Sequence, residues 1–186
     1  MTKRAFLIFK AKMNFERHIV LVHPQIHWNT GNIGRTCLAA GAELHLVKPL
    51  GFSLESRHVK RAGLDYWPRV RLHLWDNFNQ FENILGPQNG EIVLLTKLGK
   101  KPFWDMPAAR RQFLIFGSET VGLPRSILSK YGNNTYHIPI TGDIRSLNLS
   151  TAAGIALYES LRHTDMTHFW KASCCSITDK DQLEIT

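Results

Sequence analysis

Apolar residues along this chain come in short blocks separated by polar, Gly-marked or Pro-marked breaks, and the blocks alternate between strand-like and helix-like period. His18 to His23 reads as a buried strand, about Thr30 to Ala40 as a helix, and Leu44 to Val47 as the next strand before Pro49 and Gly51, which makes a βαβ opening. Val70 to Leu74 is a strand candidate, and Asp76 is a candidate cap for a helix ending near Leu85 and Gly86. Ile92 to Thr96 and Phe113 to Phe116 are clear strands. Pro124 fits the first turn of a helix running to about Lys130, and Tyr136 to Ile138 leads through a polar loop into a last helix from Leu147. This alternation predicts an α/β fold, a mostly parallel sheet with helices on both faces. The pattern dissolves at both ends. We therefore expect a loose N-terminal extension over residues 1–14, one domain over 15–163, and a loosely ordered tail over 164–186, in which Phe169 and Trp170 are the large apolar pair. Met13, just ahead of the first strand, is an alternative native start to Met1.

A length of 186 residues suits one domain with a sizeable core. No apolar run approaches the roughly 20 residues of a membrane helix. Ala5 to Phe9 is too short for a signal peptide, and Lys10 and Lys12 break any continuation of its apolar run. Lys and Arg outnumber Asp and Glu by 23 to 15, a net charge of +8 that favours polyanions such as RNA. Cys37, Cys174 and Cys175 show no Cys-x-x-Cys spacing, so neither a zinc site nor a disulfide framework is expected, and a reducing cytoplasm is the simplest setting. Cys37 falls on an apolar helix face and reads as a buried small hydrophobe. His23 and His27 are separated by Pro24, which argues against a helical metal pair, so no metal is expected. The phosphate-binding loops Gly-x-x-x-x-Gly-Lys-Ser/Thr and Gly-x-Gly-x-x-Gly are absent, which excludes the ordinary P-loop and Rossmann sites.

Candidate chemistry gathers at three strand ends that open into polar loops, Leu95-Thr96, Phe116-Gly117 and Ile138-Pro139, where α/β sheets bind ligands. The richest stretch is Ile138 to Glu159. Thr141 to Asn148 offers hydroxyls, an amide, a carboxylate and a guanidinium, while Ala152, Ala153, Gly154 and Ala156 let another backbone come close, which suggests a binding site beside an interface. The plain alternative is a helix capped by Asn148 or Ser146 with Leu147, Ile155 and Leu157 in a core.

Three segments taken in order, Asn29 to Arg35, Leu114 to Pro124 and Ile138 to Glu159, resemble the three motifs of the SpoU branch of the SPOUT methyltransferases. The resemblance runs from about Phe15 to Arg162, includes Arg-Ala-Gly-Leu-Asp-Tyr-Trp at 61 to 67, and is greatest to the tRNA wobble-position ribose methyltransferases. It departs from them at Ser118, where relatives often carry proline. The resemblance implies a trefoil-knotted fold, which periodicity does not reveal, and a homodimer in which Arg35 acts across the interface. It also implies S-adenosyl-L-methionine as cofactor, held largely by backbone groups, with Gly117 permitting close approach, Leu95 and Ile138 as apolar walls, and Ser146 in the third loop. The implied activity is 2′-O-methylation of the wobble nucleotide of tRNA, a cytidine or a modified uridine. The alternatives are a ribosomal RNA methyltransferase and a non-catalytic RNA-binding protein that keeps the fold.

Methyl transfer to a ribose hydroxyl requires the methyl held in line with the oxygen and the oxygen's proton removed. Arg35 matches the family's motif-one arginine. A guanidinium stays protonated and is a poor base, so its expected role is to anchor RNA phosphate and stabilise negative charge on the attacking oxygen. Glu119 is the competing proton acceptor, or else fixes its loop by accepting backbone N–H bonds. Ser146 and Asn148 order the cofactor loop or the target ribose, or act as helix caps. Tyr158 faces RNA or the subunit interface, or is a partly buried aromatic. Arg145 contacts RNA phosphate or is simply solvated, and the same pair of readings holds for Lys97, Lys100 and Lys101.

Overall fold

A computed structural model describes residues 15–54 and 66–162. The extension, the tail with Phe169 and Trp170, and residues 61–65 of the linking phrase lie outside the described residues. Seven strands form one sheet: β1 (Glu16–Val22), β2 (Glu43–Val47), β3 (Leu72–Trp75), β4 (Ile92–Leu95), β5 (Lys101–Pro102), β6 (Arg111–Phe116) and β7 (Thr135–His137). They stand in the order β3-β2-β1-β6-β4-β7-β5, and every pairing is parallel. The helices are α1 (His27–Ala40), α2 (Phe78–Leu85), α3 (Arg125–Tyr131) and α4 (Leu149–Arg162).

Strands buried on both faces must be apolar at successive positions, and β1, β4 and β6 are. On one side Ile19, Leu21, Leu44 and Leu114 pack against Ile33 and Cys37 of α1 and Ala153 and Leu157 of α4. On the other, Val20, Leu94, Phe113 and Ile115 pack against Phe81 of α2 and Ile127 of α3. The expected α/β layering is the one observed.

Several element ends differ from the sequence reading, each with a local cause. β1 stops at Val22 because His23 turns into the left-handed region with φ 55. The cap of α2 is Asn77, whose Oδ1 accepts the Gln80 N–H at 2.9 Å, while Asp76 pairs with Lys48 Nζ at 2.9 Å. Pro124 stands at the N-cap of α3 rather than within its first turn. α4 begins at Leu149, two residues later than expected, with Asn148 as its cap: Oδ1 accepts the N–H of Ser150 at 2.8 Å and of Thr151 at 3.4 Å. β5, unforeseen, is a two-residue edge strand containing Pro102, a residue that only an edge tolerates.

Two buried polar assemblies fasten the layers. Arg17 is 3% exposed, and its guanidinium donates to the carbonyls of Glu16, Ala109, Arg110 and Ser160 and to Ser160 Oγ, which ties the last turn of α4 to β1. Burial lowers its pKa to about 10, so it stays charged at neutral pH and serves the carbonyls a helix end leaves open. Across β1, β2 and β3, Trp75 Nε1–H donates to His45 Nδ1 at 3.1 Å, and His45 Nε2 lies 2.9 Å from His18 Nδ1. Glu43 meets Arg71 and His73, each at 3.0 Å, beside this chain.

Candidate functional site

A cavity of about 430 Å³ opens at the carboxyl ends of β4, β6 and β7. Register brings these ends level: Leu95 stands opposite Phe116 on one side and Tyr136 on the other. The cavity is lined by Leu95, Gly117, Glu119, Ile138, Arg145, Ser146 and Asn148, so seven of the residues singled out from the sequence meet in one place. Phe116 and Ile140 add apolar wall; Thr96 and Ser118 add polar rim.

The loop after β6 is built by close backbone packing. A Cβ on Gly117 would overlap the Gly122 carbonyl carbon and the Leu123 nitrogen. Ser118 and Gly122 exchange backbone hydrogen bonds of 3.2 and 2.9 Å, Gly122 takes φ 79, and Ser118 Oγ accepts the Val121 N–H at 3.1 Å. Ser118 thus uses both its N–H and its hydroxyl to close the turn that presents Glu119.

Glu119 joins this loop to the first motif. Its Oε2 accepts the backbone N–H of Gln25 at 2.8 Å and its Oε1 accepts Asn29 Nδ2–H at 2.9 Å. Asn29 Oδ1 in turn accepts Asn148 Nδ2–H at 3.0 Å, and Asn148 Oδ1 accepts from the N–H and Oγ–H of Ser150. One chain of hydrogen bonds therefore stitches all three motif segments. The N–H that Glu119 accepts belongs to the loop before α1, not to its own loop. Asn29, 3% exposed, is the residue sequence reasoning missed as a site member. A signal was present: with Ile33, Cys37 and Ala40 it falls on the buried face of α1, where an amide demands a partner.

Arg35 and Tyr158 are not brought to this chain's own cavity. Arg35 lies six residues beyond Asn29, roughly 9 Å along α1, exposed, with its guanidinium 4.8 Å from the centroid of the Tyr66 ring. Tyr66 is itself fixed by donating its hydroxyl to the Gly31 carbonyl at 3.1 Å, and a Cβ on Gly34 would crowd the Trp67 ring, so the described end of the linking phrase braces α1. Tyr158 is 54% exposed on α4. Lys97 lines the cavity, whereas Lys100 reaches Asn133 Oδ1 at 3.4 Å and Lys101 lies over the Tyr136 ring. Cys37 is fully buried, and burial pushes its thiol up to about 12, which makes it inert at neutral pH.

Among the described residues, His18, Glu43 and His45 are close enough together to suggest a metal site. The hydrogen bonding speaks against it. Because Trp75 Nε1–H donates to His45 Nδ1, the His45 proton sits on Nε2 and points at His18 Nδ1, so the two facing lone pairs a cation needs are not offered together. The cavity, with its apolar walls, polar rim and volume of about 430 Å³, suits a nucleoside-bearing cofactor.

A profile of the SpoU rRNA Methylase family matches residues 16–158, and the chain belongs to that family. Fold and site thus define a SpoU-type methyltransferase. A relative from Geobacillus stearothermophilus, provisionally assigned as a tRNA (cytidine(34)-2′-O)-methyltransferase, is 44% identical over 148 residues, 78% of this chain and 93% of its own length. A structure solved for the 2-OH methylation of C/U34 on tRNA is 40% identical, with a TM-score of 0.72 over 80% of this chain and 96% of that one. An AdoMet-bound rRNA methyltransferase from Sinorhizobium meliloti is 27% identical, with a TM-score of 0.71 over 80% of this chain and 56% of that one.

Proposed function

We propose that this protein transfers the methyl group of S-adenosylmethionine to the ribose 2′-hydroxyl of the wobble nucleotide of tRNA, in the cytoplasm and as a homodimer. The observation that carries this reading is the meeting of three motif segments, through Glu119, Asn29 and Asn148, around one nucleoside-sized cavity. The 44% identity to the Geobacillus relative supplies the substrate.

The bound cofactor supplies an electrophilic methyl group. Leu95 and Ile138 would give it apolar walls, the loop backbone at Gly117 would hold it, and Ser146 would order the third loop. Glu119 and Asn148 hold the motifs in register, leaving the remaining lone pairs of Glu119 as a proton acceptor. Arg35 lies away from its own chain's cavity and serves the cavity of a second copy, where it anchors phosphate and stabilises charge on the attacking oxygen. Pairing along α1 and α4 accounts for exposed Ile155 and Tyr158 beside Gly154. Arg145 and Lys97, at the cavity mouth, bind RNA phosphate. The trefoil knot belongs to the same reading and rests on the resemblance to the SPOUT methyltransferases.

Labelled methyl from S-adenosylmethionine, offered to total tRNA from a strain lacking this protein and followed by nucleoside mapping, tests the reading. Incorporation at the wobble 2′-hydroxyl is expected, with an Arg35→Ala loss of at least roughly a hundredfold and little rescue by Arg35→Lys. Label entering ribosomal RNA alone would replace the substrate. Cofactor binding without transfer to either RNA would favour a non-catalytic binder.

A further inference from the structure

Trp28, the second residue of α1, is 62% exposed, and it stands between Ile26 and Asn29, both of which line the cavity. Its ring meets His27 edge-on with centroids 4.5 Å apart, which leaves most of the indole open. Its position along the fold is set by helix pairing. α1 and α4 run side by side, with Asn29 bonded to Asn148, Asn32 bonded to Ser150 at 3.0 Å, and Thr36 against Gly154. Trp28 therefore lies at the end of this pair that adjoins the cavity loop bearing Arg145 and Ser146, away from Ile155 and Tyr158.

An indole exposed at a site's edge keeps apolar surface in water that a stacking partner would bury, and its surroundings narrow the partner. Beside it on α1 are His27, in ring contact, and Asn32, one turn on, while the cavity that Ile26 and Asn29 line carries Lys97, Arg145 and Ser146: polar and cationic surroundings, where the core of a subunit interface is depleted of charge. Aromatic faces beside cations and amides are what unpaired nucleobases stack upon. We infer that Trp28 is a stacking platform for an unpaired nucleobase of the RNA substrate, seated beside the cavity so that the target ribose is directed into it. This inference rests on the RNA methyltransferase reading and names how that site selects single-stranded loops over duplex.

The test uses the full chain with Trp28→Ala and Trp28→Phe. Three quantities decide it: KM and kcat for tRNA, the Kd for S-adenosylmethionine, and the Kd for a fluorescent anticodon-loop hairpin against a fully paired duplex. Trp28→Ala should raise the RNA KM and the hairpin Kd by roughly tenfold to a hundredfold, the effect of losing one base stack. Cofactor affinity, duplex affinity and size by light scattering should not move, and Trp28→Phe, which keeps an aromatic face, should retain most of the hairpin affinity. Unchanged hairpin affinity in Trp28→Ala would overturn the inference. Dissociation of copies in that variant would overturn it too, by assigning Trp28 to a protein interface. If the wild-type protein methylates no RNA, the methyltransferase reading fails, while the hairpin measurement still decides whether Trp28 stacks a base.

Discussion

Glu119 accepts from a backbone N–H on one oxygen and from Asn29 Nδ2–H on the other, so both bonds need an acceptor. Glu119→Gln offers one oxygen and one NH₂, and the NH₂ must face a donor. Leaving one of these groups unsatisfied should cost about 1–3 kcal/mol. We expect a lower Tm together with weaker S-adenosylmethionine binding, read by thermal denaturation with and without cofactor. A variant with wild-type Tm would show that the carboxylate does not hold the motifs together. The same reasoning identifies Arg17 as a fastening rather than a reacting group, since its donors are committed to carbonyls and a hydroxyl.

The loop after β6 works because two stretches of backbone touch, an approach that only Gly117 allows. Gly117→Ala puts a methyl against Gly122 backbone, and no rotamer change relieves it. Overpacking of this kind costs about 1–3 kcal/mol, and here the displaced atoms form the cavity wall. Isothermal titration of the variant with S-adenosylmethionine should show affinity reduced by roughly tenfold or more, with the far-ultraviolet spectrum retained. Wild-type affinity would mean that the loop's closure does not shape the cavity. α1 carries a double duty of the same sort. Its buried face supplies Asn29 to the site and Ile33 and Cys37 to the core, while its exposed face holds Arg35 in place over Tyr66.

At the scale of the whole molecule, the least ordinary titrating group among the described residues is His45, buried between β1 and β3. Burial, then the positive influence of His18, His73 and Arg71, lowers its pKa to about 2. In the unfolded chain an imidazole takes up its proton near pH 6.5, while the folded protein keeps His45 neutral. Its contribution to stability is therefore fully present above about pH 6.5 and is lost progressively as pH falls toward about 2, with a slope approaching 1.4 kcal/mol per pH unit. Urea denaturation between roughly pH 7.5 and 4.5 should show this slope, and His45→Phe should flatten it by about one proton whatever its effect on absolute stability. Equal slopes in both proteins would mean that His45 protonates freely in the fold.

The sequence by itself determined the parallel α/β layering, nearly every strand and helix, and seven of the residues that line the cavity. Periodicity and strand-end chemistry are local properties, and the three strand ends stand plainly at Leu95, Phe116 and Ile138. Only the tertiary structure decided that β6, β4 and β7 are neighbours, which turns those ends into one cavity. It also decided that Asp76 pairs with Lys48 and leaves the cap to Asn77, and that Arg35 and Tyr158 do not line their own chain's cavity. Asn29 shows the physical reason. Its partners Glu119 and Asn148 lie 90 and 119 residues away. A buried amide must find a partner, but which one it finds is settled by how the whole sheet stacks, information that no local stretch of sequence contains.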